Sequence, residues 1–199
     1  MSYTGLVAGL GNPGARYDGT LHNCGFMFAD RLLELAKKDG YEKELSGKKF
    51  NSFLWEISLP DIDGKWLLCK PQTFMNDSGK AIAPLLNWFK LTPRDLVVVQ
   101  DELDLPPGSL RFKFGGGLAG HNGLLSITQC LGTKDYYRLR IGIGKPENRD
   151  AVINWVLGHP SGENRQRIST ALDEAITTFI IFCDQGAQQA TMYAKSIKN

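Results

Sequence analysis

His22 lies at the predicted start of the first helix, within the segment Thr20–Asn23, and is a candidate for proton transfer. A helix N-terminus disfavours the charged imidazolium form, and a neutral imidazole can take a proton from water. A lone histidine is more often a structural residue, so local sequence leaves both interpretations open. Cys24 does not complete a thiol–imidazole pair, because residues two apart on a helix point to different faces. Among the chemical roles, a general base is therefore favoured over a partner of a cysteine nucleophile.

Three carboxylates occur in the segment Gln100–Asp104, directly after the apolar run Leu96–Val99. Acidic residues in a loop are usually solvated, and a group of three also suggests a metal site. The chain has three histidines, however, and no H-E-x-x-H or similar spacing of zinc ligands. We therefore expect neither a metal nor another cofactor, and we expect one carboxylate of this segment to orient a catalytic imidazole.

Asn12 lies in the glycine-rich segment Gly9–Gly14, which follows a short apolar run and satisfies the pattern G-x-G-x-x-G. A dinucleotide site would need a helix that begins inside this motif. Prolines and glycines instead keep the chain irregular as far as Thr20, so a glycine-rich strand exit is the better interpretation. Asn12 then remains as a side-chain amide just beyond the end of the first predicted strand.

The segment Thr73–Gly79 lies between a predicted strand and a predicted helix and carries the amide of Asn76. Two interpretations explain this segment equally well. Its side chains can cap the helix, or the amide of Asn76 can hold a substrate carbonyl. In the second case, Phe74 and Met75 would supply an apolar floor beside the amide. Ser78 is no candidate nucleophile, because the pattern G-x-S-x-G is absent from the chain.

The elements that must position these residues alternate between apolar runs and amphipathic helices. Strands are predicted near 6–10, 50–57, 65–70, 96–99, 109–114 and 138–143, and helices near 22–38, 75–89 and through the last third. This alternation indicates a three-layer α/β/α protein with a central mixed sheet, and we expect one domain over residues 1–199. Asn12, Asn76 and Asp101 each follow the carboxyl end of a predicted strand, where open α/β sheets place their active sites.

Composition and length narrow the class of protein further. The 199 residues allow one ample core, and 42% hydrophobic with 22% charged residues argues against disorder. The formal net charge of +2 neither requires nor excludes a polyanionic partner. No apolar run approaches the ~18 residues that span a bilayer, and the first residues lack the pattern of a secretory signal. With four cysteines and no C-x-x-C spacing, we expect a cytoplasmic protein without a membrane partner.

Several motifs follow one another along the chain: Gly9–Gly14, His22-Asn23, Thr73–Asn76 with Ser78-Gly79, Asp101–Pro106, Gly120–Gly123, Arg138–Gly144 and Val156–Gly158. In this order and spacing they resemble the bacterial peptidyl-tRNA hydrolase family. The resemblance extends from about Leu6 to Ala190 and is loosest between Lys37 and Asp63. It implies a monomeric enzyme of translation that hydrolyses the ester between an N-blocked aminoacyl or peptidyl group and the 3'-terminal ribose of tRNA.

The resemblance also implies roles for individual residues. His22 would activate a water molecule, Asp101 would hold the tautomer of His22, and Asn12 would read the blocked amino end. The residues expected to contact the tRNA end or the peptide are Tyr17, Phe74, Met75, Asn76 and Asn122. Elementary chemistry agrees, because ester hydrolysis needs a water, a base and amide donors for the oxyanion, and no metal.

Arg111, Lys113 and Arg140 alternate with apolar residues on two predicted strands, as is typical of half-exposed strands. Taken alone, they are solvated strand faces. With the resemblance they become candidates for contacts to tRNA phosphates.

Four positions depart from the pattern of the family. Leu21 precedes the histidine where arginine is common, and Gln100 stands where histidine or tyrosine is frequent. Leu118 and Ala119 replace a histidine and a glycine.

Two other functions remain open. A different hydrolase on the same scaffold, such as a peptidase-like enzyme, would not need a basic face. A non-catalytic RNA-binding protein would keep the charges without the chemistry, and the joint presence of Asn12, His22, Asn76 and Asp101 argues against it.

Overall fold

The structure, a computed structural model, describes residues 2–38, 40–59 and 62–197. Its strands are β1 (Gly5–Gly9), β2 (Glu42–Leu45), β3 (Ser52–Ile57), β4 (Trp66–Pro71), β5 (Leu96–Glu102), β6 (Leu110–Phe114) and β7 (Tyr137–Gly142). Its α-helices are α1 (Cys24–Lys38), α2 (Ser78–Phe89), α3 (Asn122–Leu131), α4 (Val152–Val156), α5 (Gly162–Gln185) and α6 (Ala187–Ser196). Within the described ranges, no helix is long and apolar enough to cross a membrane.

The strands form one mixed sheet in the order β2-β3-β4-β1-β5-β7-β6. Strands β4, β1, β5 and β7 are parallel, whereas the pairs β2–β3, β3–β4 and β6–β7 are antiparallel. The parallel strands all end at one edge of the sheet, which we call the carboxyl edge. The polar segments that follow β1, β4 and β5 are therefore neighbours in space, as the sequence predicted.

Helices cover both faces of this sheet. On one face, α1, α5 and α6 pack against side chains such as Val7 and Val97. On the other face, α2 and α3 cover Leu6 and Val98. Successive strand residues point to opposite faces, and the central strands β1 and β5 are apolar on both, as a doubly covered strand should be. The predicted α/β/α fold class with a mixed sheet is thus confirmed.

Two strands differ from the prediction. The apolar run 96–99 was expected to end before an acidic loop, but β5 continues to Glu102 because β7 pairs with it as far as that residue. Gln100, Asp101 and Glu102 are consequently buried strand residues. Strand β2 was not predicted, since its sequence Glu-Lys-Glu-Leu shows no apolar alternation and it lies at the exposed edge of the sheet.

The start of α1 crosses β1 at very short range. A Cβ atom built on Gly9 would lie 2.1 Å from the carbonyl oxygen of Gly25, so no larger residue fits there without a shift of the backbone. The N–H of Phe26 donates to the carbonyl of Leu10 at 3.1 Å. This close crossing holds the N-terminal end of α1, and His22 just before it, at the carboxyl edge of the sheet.

Candidate active site

His22 and Asp101 are in hydrogen-bond contact at the carboxyl edge. His22 lies in the short 3₁₀ turn Leu21–Asn23 that leads into α1, and Asp101 lies near the end of β5. Nδ1 of His22 is 2.9 and 3.0 Å from the two carboxylate oxygens of Asp101. Because an ionised carboxylate only accepts hydrogen bonds, Nδ1 carries the hydrogen and Nε2 keeps its lone pair. The imidazole can therefore accept a proton at Nε2.

Asp101 is a buried, ionised group. Burial alone would raise the pKa of its carboxyl group, because it strips water from the charged form. The charge interactions and hydrogen bonds with His22 and His121 outweigh burial, and together they hold the pKa of Asp101 well below its usual range. The carboxylate is therefore charged at neutral pH.

His121 is a second imidazole on the same carboxylate, and no role was predicted for it from the sequence. Its Nε2 lies 3.1 Å from Oδ1 of Asp101. Its Nδ1 accepts from the N–H of Leu124 at 3.4 Å, which caps the start of α3. Nδ1 is thus the acceptor and Nε2 the donor. In the sequence, His121 stands out only by its position at the end of the glycine-rich segment 115–120.

Cys24 is fully buried beside this group. Burial, with a smaller contribution from the charge of Asp101, raises the pKa of its thiol well above the ordinary value. A buried, protonated thiol is a poor nucleophile, in agreement with the expectation that His22 and Cys24 do not act as a pair.

Asn12 is held by hydrogen bonds on three sides. Its Oδ1 accepts from the N–H of Met75 at 2.8 Å. The Asn23 side chain accepts from the Asn12 N–H at 2.8 Å and donates to the Asn12 carbonyl at 3.0 Å. With Oδ1 committed to Met75, the Nδ2 group of Asn12 is left as a fixed donor. Asn23 was not among the predicted site residues, although it stands next to His22 in sequence.

The predicted contact residues fall into exposed and buried members. The rings of Tyr17 and Phe74 meet edge to face, with centroids 6.2 Å apart, and Phe74 is 56% exposed. Asn76 is exposed in the short turn that precedes α2, and Asn122 is exposed at the start of α3. Met75, by contrast, has its side chain buried in the core beneath α2 and α3. The expectation of an apolar floor therefore fits Phe74, whereas Met75 contributes its backbone N–H to Asn12.

A small cavity of about 100 Å³ opens beside the His22–Asp101 pair. Its polar wall includes His121 and Asn122, and its apolar wall comes from Val152 and Ile153. A larger and more open cavity of about 650 Å³, around Gly47 and Gln72, contains none of the predicted site residues. The chemistry therefore centres on the smaller cavity.

His22, Asp101 and His121 could each offer one ligand atom to a metal ion, and these atoms lie within 4.8 Å of one another. Each imidazole already donates a hydrogen bond to the carboxylate, so the three groups satisfy one another. The expectation of a metal-free site stays a prediction.

The three predicted basic residues lie together on one partly exposed strand face. Arg111, Lys113 and Arg140 share the α3-side face of β6 and β7, where Arg111 lies opposite Arg140. All three are only partly exposed, and Arg140 donates to the buried Glu102 at 2.9 Å. Arg138, which alternation also placed on a half-exposed face, is 1% exposed. The reason is that the glycine-rich loop from Gly115 to Gly120 folds over this end of the sheet, where Arg138 donates to the carbonyls of Gly116 and Gly117.

The departures from the family pattern have distinct surroundings. Leu21 is buried in the core under α1. Gln100 is buried, and neither polar atom of its side chain has a protein partner. Ala119 has a φ of 50°, in the left-handed region that glycine adopts most readily.

Comparisons with known proteins identify the family of this chain. The family model for peptidyl-tRNA hydrolase matches residues 6–199. The chain is 54% identical to the peptidyl-tRNA hydrolase of Desulfovibrio desulfuricans, over 98% of this chain and 85% of that relative. It is 47% identical to that of Nitratidesulfovibrio vulgaris over the full length of both. The peptidyl-tRNA hydrolase structure from Acinetobacter baumannii matches with a TM-score of 0.88 and 32% identity, over 100% of this chain and 98% of that one. The chain therefore belongs to the peptidyl-tRNA hydrolase family.

Proposed function

We propose that this protein hydrolyses the ester that joins a peptidyl or other N-blocked aminoacyl group to the 3'-terminal ribose of tRNA. The observation that carries the proposal is the contact of His22 Nδ1 with both oxygens of Asp101, which leaves Nε2 free beside a cavity. Family membership supplies the substrate class. The protein works without a metal or another cofactor, as a monomer in the cytoplasm.

The reaction begins with a water molecule that donates a hydrogen bond to Nε2 of His22. His22 removes a proton as the water oxygen attacks the ester carbonyl, and the charge of Asp101 stabilises the resulting imidazolium. Asn122 lines the same cavity and is available to donate to the oxyanion. When the intermediate collapses, the bond to the ribose oxygen breaks, and that oxygen takes the proton from His22. The products are a carboxylic acid, which loses its remaining proton to solvent, and tRNA with a free 3'-terminal hydroxyl.

Asn12 distinguishes N-blocked substrates from ordinary aminoacyl-tRNA. Its side chain is held through Oδ1, so Nδ2 presents a donor in a fixed direction. A peptide or acyl carbonyl accepts such a hydrogen bond, whereas a free ammonium group has no acceptor to offer. Tyr17, Phe74 and Asn76 flank this donor as contacts for the peptide or the tRNA end.

Arg111, Lys113 and Arg140 form the contact for the RNA backbone. They lie together on one face of β6 and β7, and the nearest buried acid, Glu102, balances only one of the three charges. The surplus positive charge attracts phosphates, with an affinity that falls as salt rises.

The test is the release of acetylated amino acid from N-acetylaminoacyl-tRNA, with unblocked aminoacyl-tRNA measured beside it. We expect wild-type turnover of the first and little of the second. His22→Ala should lower kcat by about 10²–10⁴-fold, the usual effect of removing a general base, while circular dichroism shows that the variant keeps its fold. Near-normal kcat in His22→Ala would exclude His22 as the base. Absence of turnover in the wild-type protein would refute the proposed function itself.

A further inference from the structure

Arg138 is a buried arginine without a carboxylate partner among the described residues. It is 1% exposed, and none of the ion pairs formed by those residues includes it. The nearby acid, Glu102, is hydrogen-bonded to Arg140 instead. A buried charge is costly unless other groups compensate it, and burial accordingly lowers the pKa of Arg138. The groups that compensate the charge of Arg138 are therefore important for the stability of this region.

The compensation comes from two backbone carbonyls of one loop. Arg138 donates through Nη1 to the carbonyl of Gly117 and through Nη2 to that of Gly116, both at 2.6 Å. A forked guanidinium presents two donors in a fixed geometry that meets two adjacent carbonyls, whereas the lysine ammonium carries its donors on a flexible stem. Arg138 is therefore matched to this loop in shape as well as in charge.

Few other contacts fix the conformation of the loop from Gly115 to Gly120. Gly115, Gly116, Ala119 and Gly120 all have positive φ, and most of the loop is exposed. Its glycines have no side chains to pack, so its anchors are backbone hydrogen bonds, the partly buried Leu118 and Arg138. A loop of this kind samples many conformations unless it is tied down.

This loop delivers two residues to the active site. His121 follows it directly and hydrogen-bonds to Asp101 at 3.1 Å, and Asn122 lines the cavity beside His22. The position of both depends on where the loop ends, and the loop is clamped at its beginning by Arg138. Two clamps, Arg138 on β7 and Asp101 on β5, thus hold the segment 115–121 against adjacent strands.

We propose that Arg138 is a positioning residue for the hydrolytic site, which acts through the glycine-rich loop to place His121 and Asn122. It is thereby distinct from its neighbours Lys113 and Arg140, which meet the RNA backbone. The inference rests on the proposed function for its kinetic consequence, whereas the anchoring of the loop can be measured without substrate.

The experiment compares Arg138→Met with Arg31→Met as a matched control. Arg31 also uses its guanidinium to bind a carbonyl, that of Ser169 at 2.7 Å, and it joins α1 to α5 away from the site. Hydrogen exchange at the amides of residues 117–121 and kcat at saturating N-acetylaminoacyl-tRNA are measured for both variants. We expect Arg138→Met to raise exchange there at least tenfold and to lower kcat by about 10–100-fold, because small misplacements of active-site groups have effects of this size.

Arg31→Met should change neither quantity. In Arg138→Met, the dependence of KM on salt should keep its wild-type slope, because a positioning residue makes no phosphate contact. Unchanged exchange, unchanged kcat, or a raised KM with a flattened salt slope would each overturn the inference.

If Arg138→Met does not fold, Arg138→Lys replaces it, with at least a threefold rise in exchange and a threefold fall in kcat expected. If the wild-type protein shows no turnover, the proposed function fails, and exchange alone still decides whether Arg138 anchors the loop.

Discussion

Gly25 of α1 faces the carbonyl oxygen of Val99 in β5 so closely that a Cβ atom on Gly25 would lie 2.4 Å from it. The same Cβ would lie 2.2 Å from the backbone nitrogen of Leu10. His22 precedes Gly25 by three residues, and Asp101 follows Val99 by two. The close approach that glycine allows therefore sets the distance between the base and the carboxylate.

Replacement of Gly25 by alanine should damage both stability and activity. The atoms that the new methyl group would meet are backbone atoms, so α1 itself must shift. We expect a loss of about 1–3 kcal/mol in the free energy of unfolding, as for other overpacked sites, and a fall in kcat of about tenfold or more. Urea unfolding and steady-state kinetics measure these effects. Glu34→Ala, on the exposed side of α1, is the control, and equal stability of the two variants would contradict this account.

The low pKa of Asp101 makes a prediction about stability and pH. Below the pKa of an unfolded aspartate, about 3.9, the unfolded chain binds a proton that the folded protein resists, so stability falls with pH. The contribution of Asp101 is complete above that value and is lost as pH falls towards its lower folded pKa. Urea unfolding at pH 6 and pH 3 should therefore show the advantage of the wild-type protein over Asp101→Asn shrinking at pH 3. An advantage that is constant between the two values would refute the ionised state of Asp101.

The sheet and the clustering of its polar segments at one edge were predictable, because both follow from the order of strands and helices along the sequence. Once β1, β4 and β5 are recognised as parallel strands, their carboxyl ends must share an edge. Asn12, Asn76 and Asp101 follow from that rule. His22 required only the further observation that the first helix begins at the end of the irregular segment that follows the first strand.

The burial of Arg138 and the contact of His121 with Asp101 were not predictable in this way. Alternation along β7 separates two faces, but it does not say what covers each face. The cover over Arg138 is a loop some twenty residues earlier in the chain, whose path is set by left-handed glycines. The length of β5 was missed for a similar reason, because its last residues are polar and are held in the strand by pairing with β7.

Lys113 gives the clearest test of the RNA-binding face. It makes no ion pair among the described residues, and Arg138 and Arg140 repel its charge. Lys113→Ala should weaken binding of different tRNAs to a similar extent and flatten the slope of log affinity against log salt by about 0.7–0.9 for a lost phosphate contact. Filter binding or fluorescence anisotropy at several salt concentrations measures this slope.

Arg140 and Arg111 serve as comparisons for Lys113. Loss of Arg140 leaves the buried Glu102 without its ion-pair partner and with only the N–H of Asp104 as a donor, so Arg140→Ala should also lower the melting temperature, whereas Arg111→Ala should not. If all three variants keep the wild-type salt slope, the basic residues are solvated strand faces, and the tRNA docks elsewhere.

Asn12 provides the test of substrate selection. In Asn12→Ala the fixed donor Nδ2 disappears, and the N–H of Met75 loses its acceptor. We expect the ratio of kcat/KM for N-acetylaminoacyl-tRNA over unblocked aminoacyl-tRNA to fall by about tenfold or more, the effect of losing one hydrogen bond worth about 1.5 kcal/mol. The salt slope of tRNA binding should not change, because Asn12 lies at the sheet edge after β1 and not on the basic face of β6 and β7.

Asn12→Asp separates the two functions of the side chain, since it keeps the acceptor for Met75 and removes the donor. Both variants should lose selectivity, but only Asn12→Ala should disturb the turn that begins at Met75. Selectivity retained in Asn12→Asp would assign the discrimination to another residue.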